Sequence, residues 1–243
     1  MILIDTVYQK VLAIANKEQR GYITPQEFNL FANQAQMEIF EQYFYDINQF
    51  KRTPGNSTEY SDIVGMLEEK ISAFEKFKIA PSSVSSSVIT LPTDLHRLGT
   101  VFSTVTTSNP IVEKVDKKII QLIVNSPLTA PTDSRPVFIH QAPSTAGVSK
   151  IKIFPTGTSY STSNISVNYV KKPTTVKWTY VVINDKAVHN SGATDLQNFE
   201  LHESEESELV IKILQLAGIS MKDYQLASAA SNKEVNIISQ EKQ

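Results

Sequence analysis

Apolar residues recur at helical spacing in the first third of the chain. The positions Ile4, Val7, Val11 and Ile14 lie on one face of a first predicted helix. A second helix is expected to begin near Thr24, and a third to extend from Tyr60 to Phe74. We therefore predict that residues 1–80 form a helical N-terminal part.

The second helix has the clearest local signal. Thr24 can cap it, Pro25 suits its first position, and Glu27 completes a Thr-x-x-Glu capping box. A helix of about 20 residues that buries one apolar stripe is expected. The stripe consists of Phe28, Phe31, Ala35, Ile39 and Tyr43.

The middle of the chain changes at Pro81 to Ser/Thr-rich stretches that separate short runs of β-branched and aromatic residues. The alternation of Ile151 and Ile153 with Lys150 and Lys152 is typical of half-buried strands. A small antiparallel sheet or sandwich is therefore predicted over residues 86–199. The run at 114–125 fits a short helix or a strand, and we favour the helix.

The helical pattern returns at Glu203, with Leu209, Ile213 and Leu216 on one face and Gly218 as its expected end. A last helix is predicted from Lys222, fading into a polar tail. The predicted fold class is α+β, with N- and C-terminal helices packed as a helical bundle and an antiparallel β module inserted between them. The domains are residues 1–80 (helical), 81–199 (β module), and 200–243 (helices and arm packing on the N-terminal helices).

Charge is distributed unevenly along the 243 residues. The net charge is −2, which gives no chain-wide attraction for nucleic acid or anionic membranes. The three predicted parts carry −3, +5 and −4 in chain order. Such a pattern suits attraction between neighbouring copies of the chain, and ordinary scatter of surface charge is the alternative.

Cysteine is absent, and four histidines are dispersed without metal-ligand spacing. There is no Gly-x-Ser-x-Gly nucleophile elbow and no Gly-rich phosphate loop. The absence of cysteine fits assembly in a reducing cytoplasm. No basic leader and no apolar run of about 20 residues is seen, so we expect neither a signal peptide nor a membrane-spanning helix. The sequence therefore predicts no metal, no cofactor and no catalytic centre.

Two polar clusters have both structural and functional interpretations. Asp94, His96 and Arg97 follow Leu91-Pro92, and a Pro-led turn at a strand end explains them better than catalysis. The five glutamates of residues 200–208 complement a helix dipole, or else face a channel or a basic partner.

Two binding functions remain open alternatives. Trp178 and Tyr169 stand near several lysines and could form a stacking platform for single-stranded nucleic acid. A carbohydrate-active β module would require two convergent carboxylates. The lysines of the first alternative are Lys114, Lys117, Lys118, Lys171, Lys172 and Lys177.

Most of the chain resembles head–tail connector proteins, the adaptor or ring proteins of short-tailed or crAss-like bacteriophages. The resemblance begins at "GYITPQEFNLFANQAQMEIFEQYF" and continues through "ITLPTDLHRLGTVF". It then passes through "NSPLTAPTDSRPVFIHQ", "KIKIFPTG" and "ISVNYVKKP", and closes at "FELHESEESELVIKILQLAGI". The segment 177–199 departs from this pattern and is longer than a minimal adaptor needs; a family-specific hairpin is one interpretation of it, and its role is open.

The resemblance implies a non-enzymatic virion protein in the phage neck. It implies a homo-oligomeric ring, usually of twelve copies, that lies below the portal protein and offers a surface to the next tail protein. Double-stranded DNA would pass through its channel without sequence-specific binding, and no membrane would be involved. Another tail component, such as a tail hub or stopper, is the alternative within the same class.

Two sets of residues carry these expectations. The first is a portal-binding arm in the C-terminal tail, consisting of Lys222, Tyr224, Val235, Ile237 and Ile238. The second comprises subunit-interface candidates of opposite charge. These candidates are Lys171, Lys172, Glu203, Glu205 and Glu206.

Overall fold

A computed structural model describes residues 1–15, 23–52, 63–143, 147–184, 186–220, 228, 230–233 and 235–236. The chain forms two compact units. The helical unit combines residues 1–73 with residues 173–243, and the sheet unit consists of residues 74–172.

The helical unit is built on helices from both ends of the chain. Helix α5 packs against α1 and α2, and α3 packs against α2. A 3-10 turn at Glu203–Glu205 leads into α5, and a two-stranded sheet of β9 and β10 belongs to the same unit. The bounds are α1 Ile4–Ala15, α2 Pro25–Arg52, α3 Ile63–Ser72, β9 Tyr180–Ile183, β10 Lys186–His189 and α5 Glu206–Ser220.

The capping box at the start of α2 is confirmed. The Glu27 amide donates to the Thr24 hydroxyl at 3.3 Å, and the Thr24 amide donates back to the Glu27 carboxylate at 3.0 Å. The Thr24 hydroxyl also donates to the Glu27 carboxylate at 2.7 Å, and this bond, followed by that from the Thr24 amide, holds the pKa of Glu27 below its ordinary value. Helix α2 runs for 28 residues, which is longer than predicted, and buries Phe28, Ala35 and Ile39. The predicted end of α5 at Gly218 is wrong, since the helix continues to Ser220.

Side-chain amides on α2 bind the backbone of an extended segment, residues 174–178, which the sequence places in the β module. Asn33 donates to the Val176 carbonyl at 2.9 Å and accepts from the Val176 amide at 2.8 Å. Asn29 makes the same pair of bonds with the backbone of Trp178, at 3.2 and 2.8 Å. The Gln36 amide donates to the Thr174 carbonyl at 2.9 Å. These bonds replace the ladder that a neighbouring strand would provide, so residues 174–178 belong to the helical unit.

The sheet unit contains one large curled sheet of eight strands, in the order β1-β8-β4-β5-β6-β7-β3-β2. All described neighbours are antiparallel except β5 and β6, which are parallel and are joined by a crossover that contains the short helix α4. The bounds are β1 Glu75–Ile79, β2 Ser83–Ser85, β3 Val88–Thr90, β4 Leu95–Ser103, β5 Ile111–Lys114, α4 Ile120–Asn125, β6 Val137–Gln141, β7 Lys150–Phe154 and β8 Ile165–Lys171. The core of this unit is a cluster of apolar side chains that includes Ile89, Val101, Ile151, Ile153 and Val167.

The predicted fold class is wrong in its proportions. A large mixed sheet dominates the fold, whereas the sequence predicted a helical bundle with a small antiparallel insert. Strand β1 follows α3 directly, without a turn signal in the sequence, and therefore falls within the predicted helical part, residues 1–80. Strands β2 and β3 have three residues each in a Ser-rich stretch, and they gain their stability from pairing with distant segments rather than from a local pattern.

Candidate assembly surfaces

The Leu91-Pro92-Thr93-Asp94 stretch is a turn that leads into β4. The Tyr169 hydroxyl donates to the Asp94 carboxylate at 3.0 and 3.2 Å, and the Asp94 carbonyl accepts the Lys172 amide at 2.7 Å. Leu95 and Leu98 pack against the core of the sheet unit. Burial, together with the hydrogen bond to Asp94, raises the pKa of Tyr169 to about 12. Asp94 therefore joins the start of β4 to β8 by hydrogen bonds, which favours a structural turn over a catalytic role for this motif.

We expect the Tyr169→Phe variant to lose about 1 kcal/mol of stability, because one hydrogen bond to an exposed carboxylate is removed. The raised pKa means that folding favours the neutral phenol. This contribution is complete below the ordinary tyrosine pKa of about 10 and is lost as the pH rises through about 12. Urea unfolding measures the first effect, and alkaline titration of the tyrosine absorbance measures the second. If the tyrosine that ionises at the highest pH is still seen in the Tyr169→Phe variant, that tyrosine is not Tyr169 and the assignment is wrong.

The two candidate lysines lie at the end of β8. The Lys171 amide donates to the Phe74 carbonyl at 2.9 Å, and the Lys172 amide donates to the Asp94 carbonyl. The backbone of both residues therefore binds the residues that directly precede β1 and β4. The Lys171 side chain is half-buried, and that of Lys172 is exposed. Of the two, Lys172 is the better placed to meet a partner.

The three candidate glutamates have different surroundings in the helical unit. Glu205 is 3% exposed, and its carboxylate lies 2.5 Å from the Lys70 ammonium. Glu206 pairs with Lys10 at 2.7 Å. Glu203 is largely exposed. Glu205 is therefore engaged in a buried ion pair within this unit, and Glu203 offers the most accessible charge.

The predicted portal-binding arm is described only in part. Lys222, Tyr224, Ile237 and Ile238 lie outside the described residues. Val235 lies in a helical stretch, and its side chain is 61% exposed. It is thus available for contact with a partner.

The segment 177–199 contains the hairpin of β9 and β10, in agreement with the hairpin interpretation of the sequence, and it is a candidate surface to which the sequence assigned no role. It exposes four β-branched apolar side chains, among which Val182 is 62% accessible. Asn184 has a positive φ of 49°, which asparagine tolerates in tight turns, so the "IND" sequence is a signal that could have indicated a hairpin. The exposed set is Val181, Val182, Ile183 and Val188.

The base of the hairpin is held by aromatic packing. Trp178 stacks on Tyr180 and His189 with ring centroids 5.8 and 5.7 Å apart, and its indole N–H donates to Asp5 at 2.9 Å. The Thr179 hydroxyl donates to the Asn190 carbonyl at 2.8 Å. The hairpin tip therefore extends from a well-packed base.

The alternative interpretation of Trp178 and Tyr169 as a stacking platform for nucleic-acid bases is wrong. Trp178 is 1% exposed and Tyr169 is buried, so neither ring face is open to a base. The two residues also belong to different units. Within the described ranges, no group of three metal-ligating side chains converges, and no described helix is long and apolar enough to cross a membrane.

Charge separates more sharply between the observed units than between the predicted parts. The helical unit has 12 basic and 20 acidic residues, a net charge of −8, whereas the sheet unit has 11 basic and 5 acidic residues, a net charge of +6. Their sum is the −2 of the chain. One chain thus carries two bodies of opposite charge.

No known protein-family model matches the chain, and no curated protein matches its sequence.

Proposed function

We propose that this chain is a non-enzymatic structural protein of a tailed-phage virion, a subunit of the connector ring below the portal. The observation that carries the proposal is the division of charge into units of −8 and +6. The sequence resemblance to connector proteins suggests the kind of assembly, a ring below the portal, in which this division of charge would act. The proposed ring has twelve copies, contacts the portal protein on one side and the next tail protein on the other, and surrounds the DNA channel.

A closed ring of identical subunits needs two different, complementary patches on each copy. Opposite net charges on two bodies of one chain favour such patches, because the acidic unit of one copy attracts the basic unit of the next. Complementary potentials also raise the rate of association and suppress wrong pairings. The division of charge therefore favours head-to-tail association.

The hairpin of β9 and β10 supports the same proposal. Two-stranded hairpins are marginal in water, and exposed apolar strands tend to pair with other chains. Four exposed apolar residues on this hairpin favour burial against a neighbouring copy, whose basic sheet unit complements the acidic unit that carries the hairpin. A tail hub or stopper would use the same surfaces at a different position in the particle.

Electron microscopy of virions from the phage that encodes the chain tests the proposal. We expect the protein as a twelve-fold ring directly below the portal. Its absence from purified virions would refute the proposal, and density at the far end of the tail would favour the hub alternative. A monomer in solution is compatible with the proposal when the portal serves as the template for assembly.

We expect Val182→Asp to lower incorporation into virions by about tenfold or more, because an unpaired charge at a buried contact costs well over 1.4 kcal/mol. The fold should change little, since Val182 is 62% exposed. Complementation of a phage that lacks the gene, followed by quantification of the protein in particles, measures the effect.

Leu30→Asp is the matched control, since it places the same charge at an exposed apolar site on α2 of the same unit. We expect this control to be incorporated normally. Equal incorporation of both variants would show that the hairpin makes no contact with a partner.

A further inference from the structure

A groove of about 470 Å³ opens on the sheet unit beside β4, β5 and β6. Leu98, Val112 and Phe138 form its apolar wall, and Lys114 and His140 supply cationic or ionisable groups. Lys114 pairs in parallel register with Phe138, and His140 follows two positions later on β6. Residues two apart on a strand point to the same face, so the register places Lys114 and His140 together.

Lys117 follows two positions after Val115, whose amide donates to the Phe138 carbonyl at 2.9 Å, and it adds a second positive charge near the imidazole. The turn that carries it is held by Asp116, whose carbonyl accepts the amides of Ile119 and Ile120, each at 3.2 Å. Burial, and then the charges of Lys114 and Lys117, lower the pKa of His140. The two ammonium groups that oppose a proton on His140 would attract an anion at the same place.

The nearby carboxylates are already engaged. Glu113, on the rim of the groove, lies 3.7 Å from the Arg135 guanidinium. The Asp116 carboxylate accepts the amide of Lys118 at 3.2 Å. Arg135 offsets the charge of Glu113, and Lys114, Lys117 and Lys118 outnumber Asp116, so the local net charge is positive.

We propose that this groove binds a phosphate group of double-stranded DNA through Lys114, Lys117 and His140. The chemistry is that of oxyanion recognition by ammonium and imidazolium N–H groups, with Phe138 against one side of the imidazole at a centroid distance of 5.7 Å. No base is read, so binding is independent of DNA sequence. The inference rests on the proposed connector function for the identity of the ligand, and it assigns to that function a specific backbone contact.

The test uses the full-length protein, a short DNA duplex and inorganic phosphate as separate probes. We expect Lys114→Gln/Lys117→Gln to weaken duplex binding about tenfold at low salt and to reduce the slope of log K against log salt by about 2. The control Lys152→Gln/Lys186→Gln removes the same charge from elsewhere on the surface and should retain more of the affinity. Amide NMR spectra of both variants verify that they are folded.

The His140 ring gives a second, local measurement. Bound phosphate stabilises the imidazolium, so the duplex should raise the pKa of His140 in an NMR titration, with the resonance assigned through His140→Asn. Equal loss of affinity in both double variants, an unmoved His140 titration, or binding of inorganic phosphate without binding of the duplex would each overturn the proposal. These outcomes leave the connector function untouched, because that function is decided by the position of the protein in the virion.

Discussion

Replacing Lys70 with methionine is expected to destabilise the helical unit by about 3–5 kcal/mol, because it leaves a buried carboxylate without its partner. The Lys70 ammonium lies 2.5 Å from the Glu205 carboxylate, and Glu205 is 3% exposed. The Ser204 hydroxyl, which donates to the same carboxylate at 3.1 Å, cannot replace a full positive charge. Urea unfolding followed by circular dichroism measures the loss.

The double variant Lys70→Met/Glu205→Gln provides the control. Since the amide carries no charge, we expect it to recover most of the stability lost in Lys70→Met. With the single variant Glu205→Gln, the double-mutant cycle is complete and gives the coupling energy of the pair. The exposed pair of Lys177 and Asp195 is the matched comparison, for which Lys177→Met should cost less than about 1 kcal/mol. Equal effects at Lys70 and Lys177 would show that Glu205 is solvated in the folded protein.

Local chemistry explains which parts of the fold could be predicted from the sequence. The box of Thr24 and Glu27 lies within four residues, and its hydrogen bonds form as the pattern indicates. The alternation of Ile151 and Ile153 with lysines is likewise a property of one strand, and β7 buries these two isoleucines. The short helix α4 is also predicted correctly.

Pairings between distant segments explain the parts that could not be predicted. Asn29, Asn33 and Gln36 look like ordinary polar positions of a helix, yet they bind the backbone of residues 174–178. An amide side chain has no preferred partner in sequence, so the assignment of this segment to the helical unit needed the structure. Glu205 is similar, since nothing in "HESEES" distinguishes the buried glutamate from its exposed neighbours.

The groove at β5 and β6 likewise depends on a pairing between distant segments that the sequence does not indicate. The sequence already identified Lys114 and Lys117 as part of a basic segment, but it associated them with Trp178. The parallel register of β5 and β6 places Lys114 beside His140 instead. This pairing depends on a parallel crossover between β5 and β6, whereas the sequence predicts an antiparallel sheet.

We expect Trp178→Ala to lower the stability of the helical unit by about 3–5 kcal/mol, because it empties a large buried site where several elements meet. The indole is 1% exposed, and its centroid lies 4.1 Å from that of Tyr8 on α1. It also donates to Asp5 and stacks beneath the hairpin on Tyr180 and His189. Urea unfolding gives the total loss, and hydrogen exchange read by mass spectrometry locates it.

Trp178→Phe separates packing from hydrogen bonding. It keeps most of the aromatic volume and loses the indole donor, and water can replace that donor at the partly exposed Asp5, so we expect less than half of the alanine effect.

Protection from hydrogen exchange should fall in α1, α2 and the hairpin in the alanine variant, while strands β4, β7 and β8 of the sheet unit retain theirs, since Trp178 belongs to the helical unit alone. Uniform loss of protection across both units would mean that the two unfold as one cooperative body. An alanine variant within about 1 kcal/mol of the wild type would show that Trp178 does not anchor the hairpin, and the hairpin would then be a poor candidate for the contact between subunits.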